Sequence, residues 1–148
     1  MIQFVQQPTH NTCTSACLSM ITGIPVADVI SDFHNDWVDG QKTNPSKFLL
    51  KHGFEHSQEK FVWNNNIYGG HVYLLTVPSL NIVGGMHHII FDANQEIGKR
   101  VFDPIKGRPD KTYYVDWIGD EVDKNEVKLS SWVVDLEIEI DVIKAKRI

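Results

Sequence analysis

Cysteine is scarce in this sequence: Cys13 and Cys17, four residues apart, are the only two in 148. At helical spacing they share a face and close no loop, so a disulfide is not expected and a reduced, cytoplasmic setting is. No apolar run approaches a membrane span, and the first residues lack the basic stretch and apolar stretch of an export signal. Positive charge is thin as well. Fourteen Lys and Arg stand against nineteen Asp and Glu, a net charge of −5. The densest basic cluster is Lys144-Ala145-Lys146-Arg147, which argues against nucleic acid as a partner. Repeats, low-complexity tracts and linkers are missing too. What remains is ordinary globular composition, 42% apolar and 22% charged, enough for a single domain over residues 1–148 with its own core.

The chemistry gathers between Gln6 and Ile21, a loop that runs into a helix. Asn11 and Thr12 suit an N-cap, and Ala16, Cys17, Met20 and Ile21 then recur at helical spacing. Cys13 falls on the first turn, where the positive end of the helix and its free N–H groups favour thiolate over thiol. Gln7, six residues earlier, is close enough for its amide to serve as a second oxyanion donor. Cys17 is the rival nucleophile, but it sits one turn inside the helix and has Asn11, not a glutamine, six residues before it. A small buried hydrophobe describes it better.

Further along, Gly23 ends this helix and Pro25 opens the next. Val26, Val29, Ile30, Phe33 and Trp37 predict an amphipathic helix over 25–37, followed by a loop from Asp36 to Thr43. Asn44-Pro45-Ser46 starts a third helix carrying Phe48, Leu49 and Leu50, closed by Gly53. The pattern then turns to strands: Phe61–Trp63, His71–Val77, Met86–Phe91, Arg100–Phe102, Tyr113–Val115 and Trp132–Ile143. The last of these alternates through Val134, Leu136, Ile138, Ile140 and Val142. Met86–Phe91 and Arg100–Phe102 read as an antiparallel hairpin joined by the polar segment Asn94–Lys99. Asp116–Glu126 is acidic, a loop or a short helix. Helices first and strands afterwards predict an α+β fold, one antiparallel sheet with helices packed on a face.

Gln7, Cys13 and the helix that follows resemble the start of a papain-like cysteine peptidase. The run Cys-x-x-Ala-Cys-Leu-Ser-Met-Ile-Thr-Gly-Ile-Pro is similar to the C39-like branch, with Thr14-Ser15 where that branch has Gly-Pro. Gly85-Met86-His87-His88-Ile89-Ile90-Phe91 and Val101-Phe102-Asp103-Pro104 resemble its histidine strand and its Asp-Pro strand. The likeness covers residues 6–25 and 84–107. It implies a papain-like fold, with the cysteine helix against the sheet that carries the histidine. Small stand-alone forms of this kind occur in bacteria and bacteriophages.

A cysteine nucleophile needs a base within reach and a third group to orient that base. His87 and Asp103 stand on strands expected to pair, close enough for an imidazole–carboxylate bond. Only one of His87 and His88 can face Cys13. His87 shares its face with Ile89 and Phe91, a series suited to packing on a helix, whereas His88, with Ile90 and Asp92, is expected to reach water. The expected catalytic set is therefore Cys13, His87, Asp103 and Gln7. Zinc on Cys13, Cys17, His87 and His88 would need a tetrahedron that helical cysteines and opposed strand faces do not make, so no metal or cofactor is expected. His10, His34, His52, His56 and His71 read as surface or core residues. The four tryptophans read as core, one of them a candidate wall for the cleft. The expectation is a thiol hydrolase acting on a peptide or amide bond of a peptide or protein. Two alternatives share these residues: a deamidase or transferase, and an inactive papain-like binding or inhibitor module.

Overall fold

The computed structural model describes residues 2–40, 42–58, 62–94, 100–117 and 122–147. Cys13–Thr22 forms helix α1, in which every residue from Thr14 to Thr22 is buried. Gly23 stops it in the left-handed conformation at φ 77°, its N–H returning to the Ser19 carbonyl at 2.9 Å, a turn that suits glycine. Thr12 occupies the N-cap position but does not cap. Its hydroxyl turns back into the loop, accepting from the Thr9 N–H at 3.1 Å and the Thr9 hydroxyl at 2.9 Å. The positive end of α1 is thus left open beside Cys13.

Val26–Val29 (α2), a π-helical turn at Ile30–His34 and Asn35–Asp39 (α3) run on as one helical stretch. It takes in Asp36–Asp39, which the sequence assigns to a loop. Phe33 is the hub, stacked 5.9 Å from the Trp37 ring and edge-on to Phe48 at 5.5 Å. Helix α4 (Pro45–Lys51) starts as its sequence dictates, with proline in the first turn and Asn44 Oδ1 accepting the Lys47 N–H at 2.9 Å.

The main sheet is antiparallel, in the order β1 (Ser57–Gln58), β7 (Val133–Glu139), β2 (His71–Pro78), β3 (Met86–Asp92), β4 (Val101–Phe102). Val72, Leu74, Ile90, Leu136 and Ile138 pack on the helices, around Cys17, Leu18 and Ile21 of α1. Tyr73, Leu75, Val77, Ile89, Phe91 and Val134 form a second core on the opposite face. That face is covered in part by a small parallel pair, β5 (Tyr113–Val115) with β6 (Glu126–Lys128), which contributes Tyr114. The α+β architecture, with helices on one face of an antiparallel sheet, is as the sequence predicts.

Several local expectations are corrected. The last strand ends at Glu139, and Ile140–Lys146 is a helix, α5. Ile140 and Ile143, three apart, share the buried face of this helix as they could not in a strand, and Asp141 at the start with Lys144 and Lys146 at the end suits the helix dipole. Arg147 then reaches the Met20 carbonyl at 3.4 Å, tying this end of the chain to α1. Trp63 makes one isolated bridge to Val133 instead of a strand, and Phe61 lies outside the described residues. So do residues 95–99 of the expected β3–β4 connection and residues 118–121 of the acidic segment, the end of which, Glu126, opens β6. Trp63 and Trp117 are exposed, not core; Trp117 stacks between Phe91 and Trp132. Among the described residues no helix is long and apolar enough to cross a membrane.

Candidate active site

Strand β4 pairs with β3 only at Ile90–Phe102 and Phe91–Val101, so the Met86–Ile89 half of β3 has no strand on that side. Cys13, at the start of α1, meets β3 at this open edge. There the His87 imidazole and the His88 backbone N–H both act on its sulfur and favour the thiolate. Asp103 follows β4 directly. Its Oδ1 lies 2.6 Å from His87 Nε2, which leaves Nδ1 as the ring nitrogen for Cys13.

Asp103 is itself fixed. The buried carboxylate accepts the Ile105 N–H on Oδ1 at 3.1 Å and the Tyr114 N–H on Oδ2 at 2.9 Å. Burial pushes the Cys13 thiol up, but the His87 hydrogen bond and charge, then the His88 charge and N–H, outweigh it. The result is a pKa of about 6 from an ordinary 9.0. Burial pushes His87 the other way, and Asp103 and Cys13 more than reverse it, raising its pKa from 6.5 to about 10. Between those values the pair stands as thiolate and imidazolium. Cys17, wholly buried, has its thiol pushed well above 9.0 by burial and by the nearby Cys13 and Asp103.

Cys13 and His87 open onto a cleft of about 740 Å³, walled also by His10, Trp37, Met86 and Lys111. Asp103 and Gln7 do not line it. Gln7 is fully buried; its backbone N–H donates to the Pro104 carbonyl at 2.8 Å and its Nε2 to the Thr9 carbonyl at 2.8 Å. One Nε2 hydrogen is thereby committed to holding the loop before α1.

The face argument that singled out His87 does not survive in its details. Helix α1 packs on the Ile90 face of β3, while Ile89 and Phe91 belong to the opposite core. His87 meets Cys13 because the cysteine sits at the strand's edge, not on the helix-covered face. His88 is not turned to water: Nδ1 lies 2.7 Å from Thr14 Oγ1 and Nε2 2.7 Å from Asp135 Oδ2. Asp92 is buried as well. Thr14, Thr76 and Asp135 are the cleft residues that sequence reasoning missed. The one available signal was Thr14 itself, where the resemblance expects glycine. His56, bonded to Ser46 at 2.7 Å, and His71, 3.3 Å from Glu137, serve the fold. Among the described residues no three His, Cys, Asp or Glu side chains converge as a metal site. No protein family, curated protein or solved structure matches this chain.

Proposed function

We propose that this protein is a thiol hydrolase of papain-like, C39-like type that cleaves a peptide or amide bond in a peptide or protein. The observation that carries the reading is the linear chain Cys13–His87–Asp103 at the uncapped start of a helix, with the thiol already lowered to about 6. The Cys13 thiolate attacks the carbonyl carbon, forming the C–S bond and pushing the carbonyl electrons onto oxygen. The Cys13 backbone N–H, in the first helical turn where N–H groups lack an intrahelical acceptor, stabilises that oxyanion; Gln7, expected as its partner, is buried outside the cleft and holds the loop before α1. As the tetrahedral adduct collapses, the C–N bond breaks and the His87 imidazolium gives its proton to the leaving amine. His87, now neutral, takes a proton from water, whose oxygen attacks the thioester and expels the thiolate. Asp103 holds the ring in one orientation throughout.

No metal or cofactor enters this scheme. Two free cysteines agree with a reduced, cytoplasmic setting, and the net charge of −5 disfavours nucleic acid as substrate. A deamidase or transferase uses the same groups with a different acyl donor or acceptor. Iodoacetamide near pH 6.5 tests the reading: Cys13 should be modified within minutes and Cys17 only after unfolding. Equal protection of both thiols in the native protein overturns it and leaves a binding module.

A further inference from the structure

A second chain of short hydrogen bonds runs through the wall of the same cleft, one residue along from the first on both elements. Thr14 follows Cys13 on α1, and His88 follows His87 on β3. Thr14 Oγ1 lies 2.7 Å from His88 Nδ1, and His88 Nε2 lies 2.7 Å from Asp135 Oδ2. The Thr76 hydroxyl donates to that same carboxylate oxygen at 2.6 Å. Asp135 arrives there because β7 bulges: Leu74 pairs with Leu136 and Leu75 with Val134, which leaves Asp135 as the extra residue. A bulge re-aims a side chain in this way beside functional sites.

The proton count decides what this chain does. Although burial raises it, the Asp135 carboxyl is held below its ordinary 3.8 by His88 and Thr76, so it is ionised and only accepts. His88 therefore carries a proton on Nε2. In neutral His88, Nδ1 is then bare and takes the one hydroxyl proton that Thr14 has. Thr14 Oγ1 also lies 3.9 Å from Cys13 Sγ, and in this state it turns only lone pairs toward the sulfur. When His88 takes a second proton on Nδ1, that N–H donates to Thr14 Oγ1, and the hydroxyl proton is released toward Sγ. One proton arrives from solvent and one hydroxyl rotates; no other bond changes.

We propose that Thr14 and His88 are positioning residues for the nucleophile. The Thr14 hydroxyl is a two-way donor, given to neutral His88 or to the Cys13 thiolate when His88 is protonated, and Asp135 fixes the tautomer that permits the exchange. In the first state the thiolate is bare; in the second it carries a charge-assisted hydrogen bond and is less nucleophilic. The titratable groups around His88 are Cys13 on α1, Asp135 on β7 and His87 on its own strand, with the hydroxyl of Thr76 on β2 and the Lys111 ammonium farther along the cleft wall.

This inference rests on the thiol-hydrolase reading only in taking Cys13 as the reactive thiol, and its test needs no substrate. The rate of iodoacetamide reaction at Cys13 is followed from about pH 5 to about pH 9, the range where imidazole and thiol charges change. Wild type is expected to show a second inflection beside that of Cys13, of about twofold to tenfold amplitude, as one modest hydrogen bond supplies. Thr14→Val should keep the first and shrink the second to what the His88 charge exerts across space, and Thr14→Ser should keep both in full. A second inflection as large in Thr14→Val as in wild type, or missing from wild type, overturns the relay while the hydrolase reading stands. No reaction at Cys13 in any variant overturns both. Imidazole nitrogen NMR shifts of the unaltered protein give an independent check, should Thr14→Val fail to fold. A neutral His88 protonated on Nε2 is expected, and protonation on Nδ1 overturns the proposal.

Discussion

Cys13 and His87 have moved in opposite directions, the thiol down to about 6 and the imidazole up to about 10, and on the proposed mechanism this sets the window of activity. Below the first value the nucleophile is protonated; above the second, His87 has lost the proton that the leaving amine needs. Hydrolysis, once a substrate is in hand, should follow a bell between those limbs, measured as kcat/KM against pH. A single rising limb, with no loss on the alkaline side, would show that His87 gives no proton in the rate-limiting step. His87→Ala removes the largest force holding the thiol down while leaving the burial that pushes it up. Alkylation of that variant at pH 6.5 should slow by about tenfold or more, one pKa unit being worth a factor of ten. A rate equal to wild type would mean that helix α1 alone activates the sulfur.

Asp103 ties three elements together, since its two oxygens serve His87 on β3, the turn after β4 and the first residues of β5. Asp103→Ala strands two buried N–H groups, so it should cost about 3 kcal/mol in urea unfolding, beyond any loss of activity. An unchanged midpoint would mean that water replaces the carboxylate there. Helix α1 depends on its exit as much as on its start. Gly23→Ala forces a Cβ at φ 77° to within 2.9 Å of the Arg147 guanidinium, while Gly84→Ala at φ 74° meets nothing within 4 Å. Both should cost about 1 kcal/mol for the backbone, and Gly23→Ala more; equal costs would show Arg147 moving aside freely. The same elements show how far the sequence could be read. Helix α1 and the β3–β4 hairpin were legible because spacing and turn residues are local signals; Cys13, His87 and Asp103 were singled out by the order of motifs along the chain, since the expected cap is not made and the strand-face argument failed. The bulge at Asp135 was not, since register against β2, some sixty positions away in the chain, is written in neither strand alone. Strands β1 and β6, of two and three residues, are too short for alternation to speak, while β5, no longer, was read from the β-formers Tyr113, Tyr114 and Val115. Helix α5 was misread because Ile140 and Val142 continue the alternation of the strand, whereas Ile140 and Ile143, three apart, share a face only in a helix.

Seen whole, the molecule buries its sheet between two cores and keeps its soft ligands apart. Cys17 is sealed under α1, and His88 is turned toward Thr14 and Asp135. The purified protein should carry no stoichiometric zinc, and EDTA should leave its melting temperature unchanged. About one zinc per chain would overturn the thiol-hydrolase reading, because a coordinated thiolate is not free to attack a carbonyl. The order of the residues along the chain adds a consequence in time. Cys13 leaves the ribosome first, and the groups that make it more than an ordinary thiol, His87 and then Asp103, follow roughly five to twenty seconds later at about 5–20 residues per second. For that interval the nascent chain carries a cysteine with no base, no orienting acid and no cleft. On the proposed hydrolase reading, activity is therefore absent until Asp103 has emerged, and this latency needs no inhibitor to enforce it.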